Sequence, residues 1–155
     1  MDIKDKKVLV VGLGRSGVAS LKVLVKLGAV VSVQDTKEES KIDEELRRYL
    51  EKNKVKCYFG RDPDARDQDM LVLSPGVSPT LEFIEDARKA GVEIIGELEL
   101  GYRLAKGKFV AITGTNGKTT TTSWVGEIFR CAGRTTAVVG NIGKAVIPAA
   151  MKSGE

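Results

Sequence analysis

Apolar residues collect in five short runs along the chain: Lys7–Val11, Val30–Gln34, Val55–Phe59, Met70–Leu73 and Val92–Ile95. Each is too short for a helix and is followed by a helical or loop segment, which predicts parallel strands joined by crossovers. Between the first two runs, Val18, Leu21, Leu24 and Val25 recur at helical spacing, and Gly28 stands where a helix would stop. Ile42, Leu46, Tyr49 and Leu50 mark a second amphipathic helix with a charged opposite face. Ser78-Pro79 is expected to open a third, with Leu81, Ile84 and Ala87 on one side and Gly91 at its end. The run at Val8–Val11 is continuous, as in a strand buried on both faces, whereas Val55–Phe59 alternates, as at an edge. A strand order of 3-2-1-4-5 is the natural result.

Residues Glu97–Ala105 read as a helix leading out of this unit, and Lys106-Gly107-Lys108 as a joint. A second unit then begins, with a strand at Phe109–Thr113, a helix through Trp124, Ile128 and Phe129, and a strand at Thr136–Val139. Such a fragment of sheet buries little of its apolar surface alone and calls for further strands beside it. The expectation is therefore a division at residues 1–105 and 106–155, with the second unit incomplete and the chain the front portion of a longer enzyme.

Two glycine-rich turns carry the candidate chemistry. Gly12-Leu13-Gly14-Arg15-Ser16-Gly17 follows the first strand and opens the first helix, where backbone N–H groups and the helix dipole favour a phosphate. Asp35 ends the second strand 18 residues after Gly17, positioned to accept hydrogen bonds from a ribose or base. The same residues also suit a turn that merely permits close helix–sheet packing, with Asp35-Thr36 capping the next segment. Ser74-Pro75-Gly76 belongs to the same edge, since residues at the carboxyl ends of strands face one crevice.

The second turn, Thr113-Gly114-Thr115-Asn116-Gly117-Lys118-Thr119-Thr120, departs from the general phosphate-loop pattern, whose first glycine would fall at Ile112. It keeps the working parts. Gly114 and Gly117 let N–H groups turn inward, Lys118 brings a cation to the β- and γ-phosphates, and the Thr119 hydroxyl can ligate Mg²⁺. Thr120, Thr121 and Thr122 continue as helix surface rather than as further metal ligands. The fold class expected is α/β: a Rossmann-like five-stranded parallel sheet followed by the start of a P-loop α/β domain.

Composition narrows the rest. Twenty-five basic against 21 acidic residues give a net charge of +4, with the basic residues scattered, so neither nucleic acid nor a membrane surface is an expected partner. The N-terminal apolar run is too short for a signal peptide or a span, which points to the cytoplasm. Cys57 and Cys131 are isolated and expected as reduced thiols, and histidine is absent. A dehydrogenase would leave Lys118 unexplained and has no identifiable hydride-transfer site. A binding module that senses a dinucleotide without chemistry stays as the alternative to an enzyme.

The shortened loop resembles that of the Mur ligases and the related folylpolyglutamate synthases. Taken with Gly12–Gly17, Asp35-Thr36, Ser74-Pro75-Gly76-Val77 and Gly140-Asn141-Ile142-Gly143, the chain is similar along essentially its whole length to the Mur ligase that adds D-glutamate. Its Asn116 stands where the L-alanine-adding ligase carries a histidine. The resemblance implies an ATP-dependent, Mg²⁺-dependent step of peptidoglycan synthesis in which UDP-N-acetylmuramoyl-L-alanine and D-glutamate are joined through an acyl phosphate. It implies ATP contacts at Gly114, Thr115, Asn116, Gly117, Lys118, Thr119 and Thr120, with Thr119 on the metal and Lys118 catalytic. It places the substrate diphosphate at Gly14, Arg15 and Ser16, although Arg15-Ser16 replaces a Leu-Thr pair of some members. The uridine falls to Asp35, Thr36 and Gly76, and the muramoyl-alanine end near the reacting centre to Asn141. The family's acidic metal ligand, carbamylated lysine and D-glutamate-capturing domain are expected after Glu155, so the 155-residue chain alone is expected to bind uridine nucleotides without catalysing ligation.

Overall fold

A computed structural model describes residues 1–140 and 146–153. Five parallel strands, β1 (Lys7–Val11), β2 (Val30–Asp35), β3 (Lys56–Phe59), β4 (Met70–Leu73) and β5 (Glu93–Gly96), pair in the order β3-β2-β1-β4-β5. This is the expected order. β1 is central, and its Val8–Val11 are essentially inaccessible to solvent. β3 at the edge is only partly covered.

Helices α1 (Arg15–Lys26), α2 (Glu44–Lys52) and α4 (Glu97–Leu104) supply one covering layer, and α3 (Glu82–Lys89) the other. On the first face Val8, Val10, Val33, Met70 and Val72 meet Leu21, Leu24, Leu50 and Leu100. On the second, Leu9, Val11 and Leu71 meet Ala65, Phe83, Ile84 and Ala87. Alternate residues of each buried strand thus feed opposite cores, which is why the central runs are continuously apolar. Residues 60–69 cross from β3 to β4 without a helix and insert Ala65 into the second core.

Local signals explain most helix ends. Gly28, at φ +81°, closes α1 as the Gly28 and Ala29 N–H groups donate back to the Val25 and Leu24 carbonyls. Asp43 caps α2, its carboxylate accepting from the Glu45 and Leu46 N–H groups at 3.0 and 3.2 Å. The third helix departs from expectation. It begins at Glu82 rather than at Ser78-Pro79, because the Ser78 hydroxyl engages Thr80 and Leu81 is held extended with its side chain against the second core.

In the second unit, helix α5 (Lys118–Cys131) forms as expected, but the strands anticipated at Phe109–Thr113 and Thr136–Val139 do not. Apart from a single bridge at Val139, neither segment has a ladder partner among the described residues, and a strand exists only through its neighbours. Trp124 and Ile128 on α5 are correspondingly exposed, at 70% and 63%. Helix α6 (Val146–Lys152) packs on α4 and α1, with Ile147 fully buried in the first core. A Cβ at Gly101 would stand 2.6 Å from Val146 Cγ1, so glycine there permits the contact. The hydroxyl of Ser153 accepts from the Lys106 and Gly107 N–H groups, tying the joint to the end of α6. Both cysteines are free thiols, and burial pushes the Cys57 thiol up.

Leu24→Ala, which empties a fully buried position between α1 and the sheet, is expected to lower stability by about 2–5 kcal/mol. Chemical denaturation with an unchanged m-value would measure it, and a loss below about 0.5 kcal/mol would show that α1 packs loosely.

Candidate functional site

The strand order reverses direction between β1 and β4, so the loops leaving their carboxyl ends diverge and leave a crevice. The turn after β1 forms its floor. Gly12 sits at φ +85°, its N–H donating to the Gln34 carbonyl at 2.7 Å, while its own carbonyl accepts the Ser74 hydroxyl at 2.7 Å. The next N–H, of Leu13, donates to Asp35 Oδ2 at 2.6 Å. Asp35 at the end of β2 and Ser74 just past β4 therefore grip the two ends of one peptide group of the turn, that joining Gly12 to Leu13.

Gly17 is what allows this. A Cβ there would lie 1.8 Å from the Gly12 carbonyl oxygen and 2.6 Å from Ser74 Oγ, so any other residue would push α1 off the turn. Gly14 contrasts with it, since a Cβ there would meet nothing within 4 Å. Gly14 caps α1 without any side-chain hydrogen bond, leaving the first-turn N–H groups of Arg15, Ser16 and Gly17 without helical partners at the crevice. Such a helix start carries a partial positive charge suited to an anion. Gly14 and Arg15 are exposed and Ser16 half-buried.

Asp35 is buried, and its second oxygen accepts from the Lys37 N–H at 2.9 Å. The structure thus places it as a clamp on the glycine turn, with two of about four acceptor positions engaged. Thr36 beside it is exposed, as is Gly76, whose φ of +93° makes the turn after Ser74. These residues, scattered over 60 positions of sequence, share one sheet edge. Sequence reasoning placed Ser74 at this edge without its hydroxyl contact. It missed Glu97, read only as the start of a helix. Register pairs Leu73 with Gly96, so α4 opens with Glu97 at the carboxyl edge of the sheet, as the turn at Ser74 does after β4. Glu97 is buried, yet its Oε1 has no hydrogen-bond partner among the described residues. An acidic residue in a first helical turn looks the same in sequence at Glu44 or Glu82, both exposed.

The second turn stands apart; among the described residues no hydrogen bond or ion pair joins it to the first. Gly114 and Gly117 take φ values of +150° and +74°, and Gly117 caps α5 in the left-handed conformation. The Lys118 ammonium donates to the carbonyls of Gly114 and, at 3.1 Å, Thr115, curling over the loop. Thr115, Asn116, Thr119 and Thr120 are exposed, and Thr122 returns its hydroxyl to the Lys118 carbonyl at 2.7 Å. A left-handed glycine, a free helix start and a lysine bonded only to loop carbonyls fit a polyphosphate, with Thr119 the hydroxyl available to its metal ion. Asn141 lies outside the described residues.

Two hollows lie elsewhere. One of about 720 Å³ is lined by Lys7, Ser32, Lys56 and Tyr58, and one of about 560 Å³ lies between α5 and residues 109–112 and 134–139. Neither is lined by the glycine turns. The crevice residues are favoured as the site because their backbone geometry is built around exposed amides, not because of volume.

An open parallel sheet with clamped glycine turns at the carboxyl edge, preceding a second loop of P-loop type, defines a class of nucleotide-binding α/β proteins. Residues 6–96 match the model of the Mur ligase MurD-like N-terminal domain, and residues 112–153 that of the Mur ligase middle domain. The chain belongs to the Mur ligase family. It is 50% identical to the UDP-N-acetylmuramoylalanine--D-glutamate ligase of Alkaliphilus oremlandii, over 99% of this chain and 34% of that protein. It is likewise 50% identical to the Clostridioides difficile enzyme of that name, over 100% and 35%. Among solved structures, the UDP-N-acetylmuramate-alanine ligase MurC of Thermotoga maritima superposes with a TM-score of 0.50 at 28% identity, covering 81% of this chain and 29% of that one. The chain spans about a third of the length of these curated relatives.

Ser74→Ala, which removes the clip on the Gly12 carbonyl, is expected to cost about 1–3 kcal/mol, and Gly17→Ala at least as much. Urea unfolding midpoints would check both. An unaltered midpoint for Gly17→Ala would mean that the turn yields to a methyl group.

Proposed function

We propose that the chain is the substrate-nucleotide-binding unit, residues 1–105, and the start of the ATP-binding unit, residues 106–155, of a ligase that joins D-glutamate to UDP-N-acetylmuramoyl-L-alanine in the cytoplasm. The observation that carries this is an identity of 50% over the length of this chain, and over about a third of the relatives, with proteins bearing that enzyme's name. The physical support is a preformed anion-binding turn beside a buried acceptor on the adjacent strand.

In this assignment the amides of Gly14, Arg15 and Ser16 hold the substrate diphosphate, with Asp35, Thr36 and Gly76 at the uridine end and Asn141 toward the muramoyl-alanine end. Because Asp35 already fastens the Leu13 amide, it orients the phosphate-binding turn as well as facing the nucleoside. Gly114 to Gly117 would surround the ATP phosphates with N–H groups, together with Thr120 at the helix start. Lys118 would leave the loop carbonyls to face the phosphoryl group being transferred. Thr119 would hold Mg²⁺, which when bound neutralises phosphate charge. The reaction assigned is attack of the alanine carboxylate on the γ-phosphorus, followed by displacement of phosphate by the D-glutamate amine. Such phosphoryl transfer needs positioning and charge neutralisation more than covalent protein chemistry, in keeping with loops built from glycine, lysine and threonine.

Calorimetric titration of the chain with UDP and with NAD separates this proposal from a dinucleotide-sensing module. A clear preference for UDP is expected, and equal or tighter binding of NAD would overturn it. Lys118→Ala is expected to weaken ATP binding by about 1.5–3 kcal/mol, the range for a hydrogen bond to a charged group, with an unchanged circular dichroism spectrum. Wild-type affinity in that variant would make Lys118 a bystander.

A further inference from the structure

We infer that Glu97 is a ligand-contacting residue of the carboxyl-edge crevice, accepting a hydrogen bond from an amide N–H or hydroxyl in the sugar-peptide portion of the bound nucleotide. The inference rests on the uridine-nucleotide assignment proposed for this crevice. Glu97 is 7% exposed and its Oε1 has no hydrogen-bond partner among the described residues. Folded proteins rarely retain such an atom, because stripping water from a carboxylate oxygen without replacing the hydrogen bond is costly. The start of α4 offsets part of that cost through its dipole but supplies no bond, since no side chain caps the helix. Asp35 shows what a carboxylate at this edge looks like when its role is to hold the fold: both oxygens are engaged by backbone N–H groups.

Position selects the ligand group. Glu97 lies on the side of α4 shared with Leu100 and Gly101, which packs against α1 and α6. Both α1 and α4 begin at the carboxyl edge. Across the sheet, β5 is three strand spacings from β2, roughly 14 Å, with the amides of α1 between them. A diphosphate at those amides leaves one end of the molecule toward Asp35 and the other toward Glu97. A carboxylate only accepts, and a diphosphate offers no donor at neutral pH. The N–H and O–H groups of an acylated amino sugar and its peptide do.

The test titrates UDP and UDP-N-acetylmuramoyl-L-alanine into the wild-type chain, Glu97→Gln and Glu97→Leu. Glu97→Gln is expected to bind the longer nucleotide at least about tenfold more weakly while its affinity for UDP stays within about twofold. Glu97→Leu, which replaces the unpaired group by an apolar one, is expected to lose the same discrimination and to melt no lower than wild type. If the wild type binds both compounds and either variant follows it for both, or weakens equally for both, the inference is overturned. A melting temperature that falls in both variants with discrimination intact overturns it too, making Glu97 a fold residue. A wild-type chain that binds neither compound would instead remove the uridine assignment, and Glu97's role with it.

Discussion

Everything at the carboxyl edge depends on one constraint, that the Gly12–Leu13 peptide group of the turn after β1 is held at both ends by side chains from the neighbouring chain segments. Ser74 takes the Gly12 carbonyl and Asp35 takes the Leu13 N–H. With these groups satisfied from below, the following amides are left to face the crevice, and α1 starts in a fixed direction. Gly17 makes the arrangement possible by lacking the Cβ that would collide with the Gly12 carbonyl. A turn whose amides are already oriented by the fold has less ordering entropy to lose on binding a ligand.

The second turn has no comparable support. Its backbone is shaped by left-handed Gly117 and by α5, and its lysine is occupied with the loop's own carbonyls. The segments that should brace it, 109–113 and 136–139, run without ladders, and the apolar residues of α5 stay exposed. Helices form from local hydrogen bonds, whereas strands wait for partners. Of the two loops, the first is therefore the one held in place by side chains from other elements.

The two parts of the chain are nonetheless mechanically connected. Helix α6, distant in sequence, completes the first core through Ile147, and Ser153 holds the joint at Lys106 and Gly107. Tyr102 and Phe109 stack edge to face across the same joint, 5.4 Å between centroids. Glu97 opens the helix on which this packing rests.

Much of this was legible in order along the chain. The alternation of apolar runs with helical spacing is a local property, and it determined the parallel sheet, the strand order and the buried centre at Val8–Val11. Glycines at both turns, and Lys118 at the second, likewise pointed to phosphate chemistry, because few other residue types can turn a backbone inward or offer a cation. What only the tertiary structure decided were the relations between distant residues: that Ser74 clips Gly12, that Asp35 is spent partly on Leu13, that Leu81 delays α3, and that Glu97 is buried without a partner for its Oε1 among the described residues. Hydrogen bonds and burial between elements depend on distances in space, and no spacing along the chain encodes them.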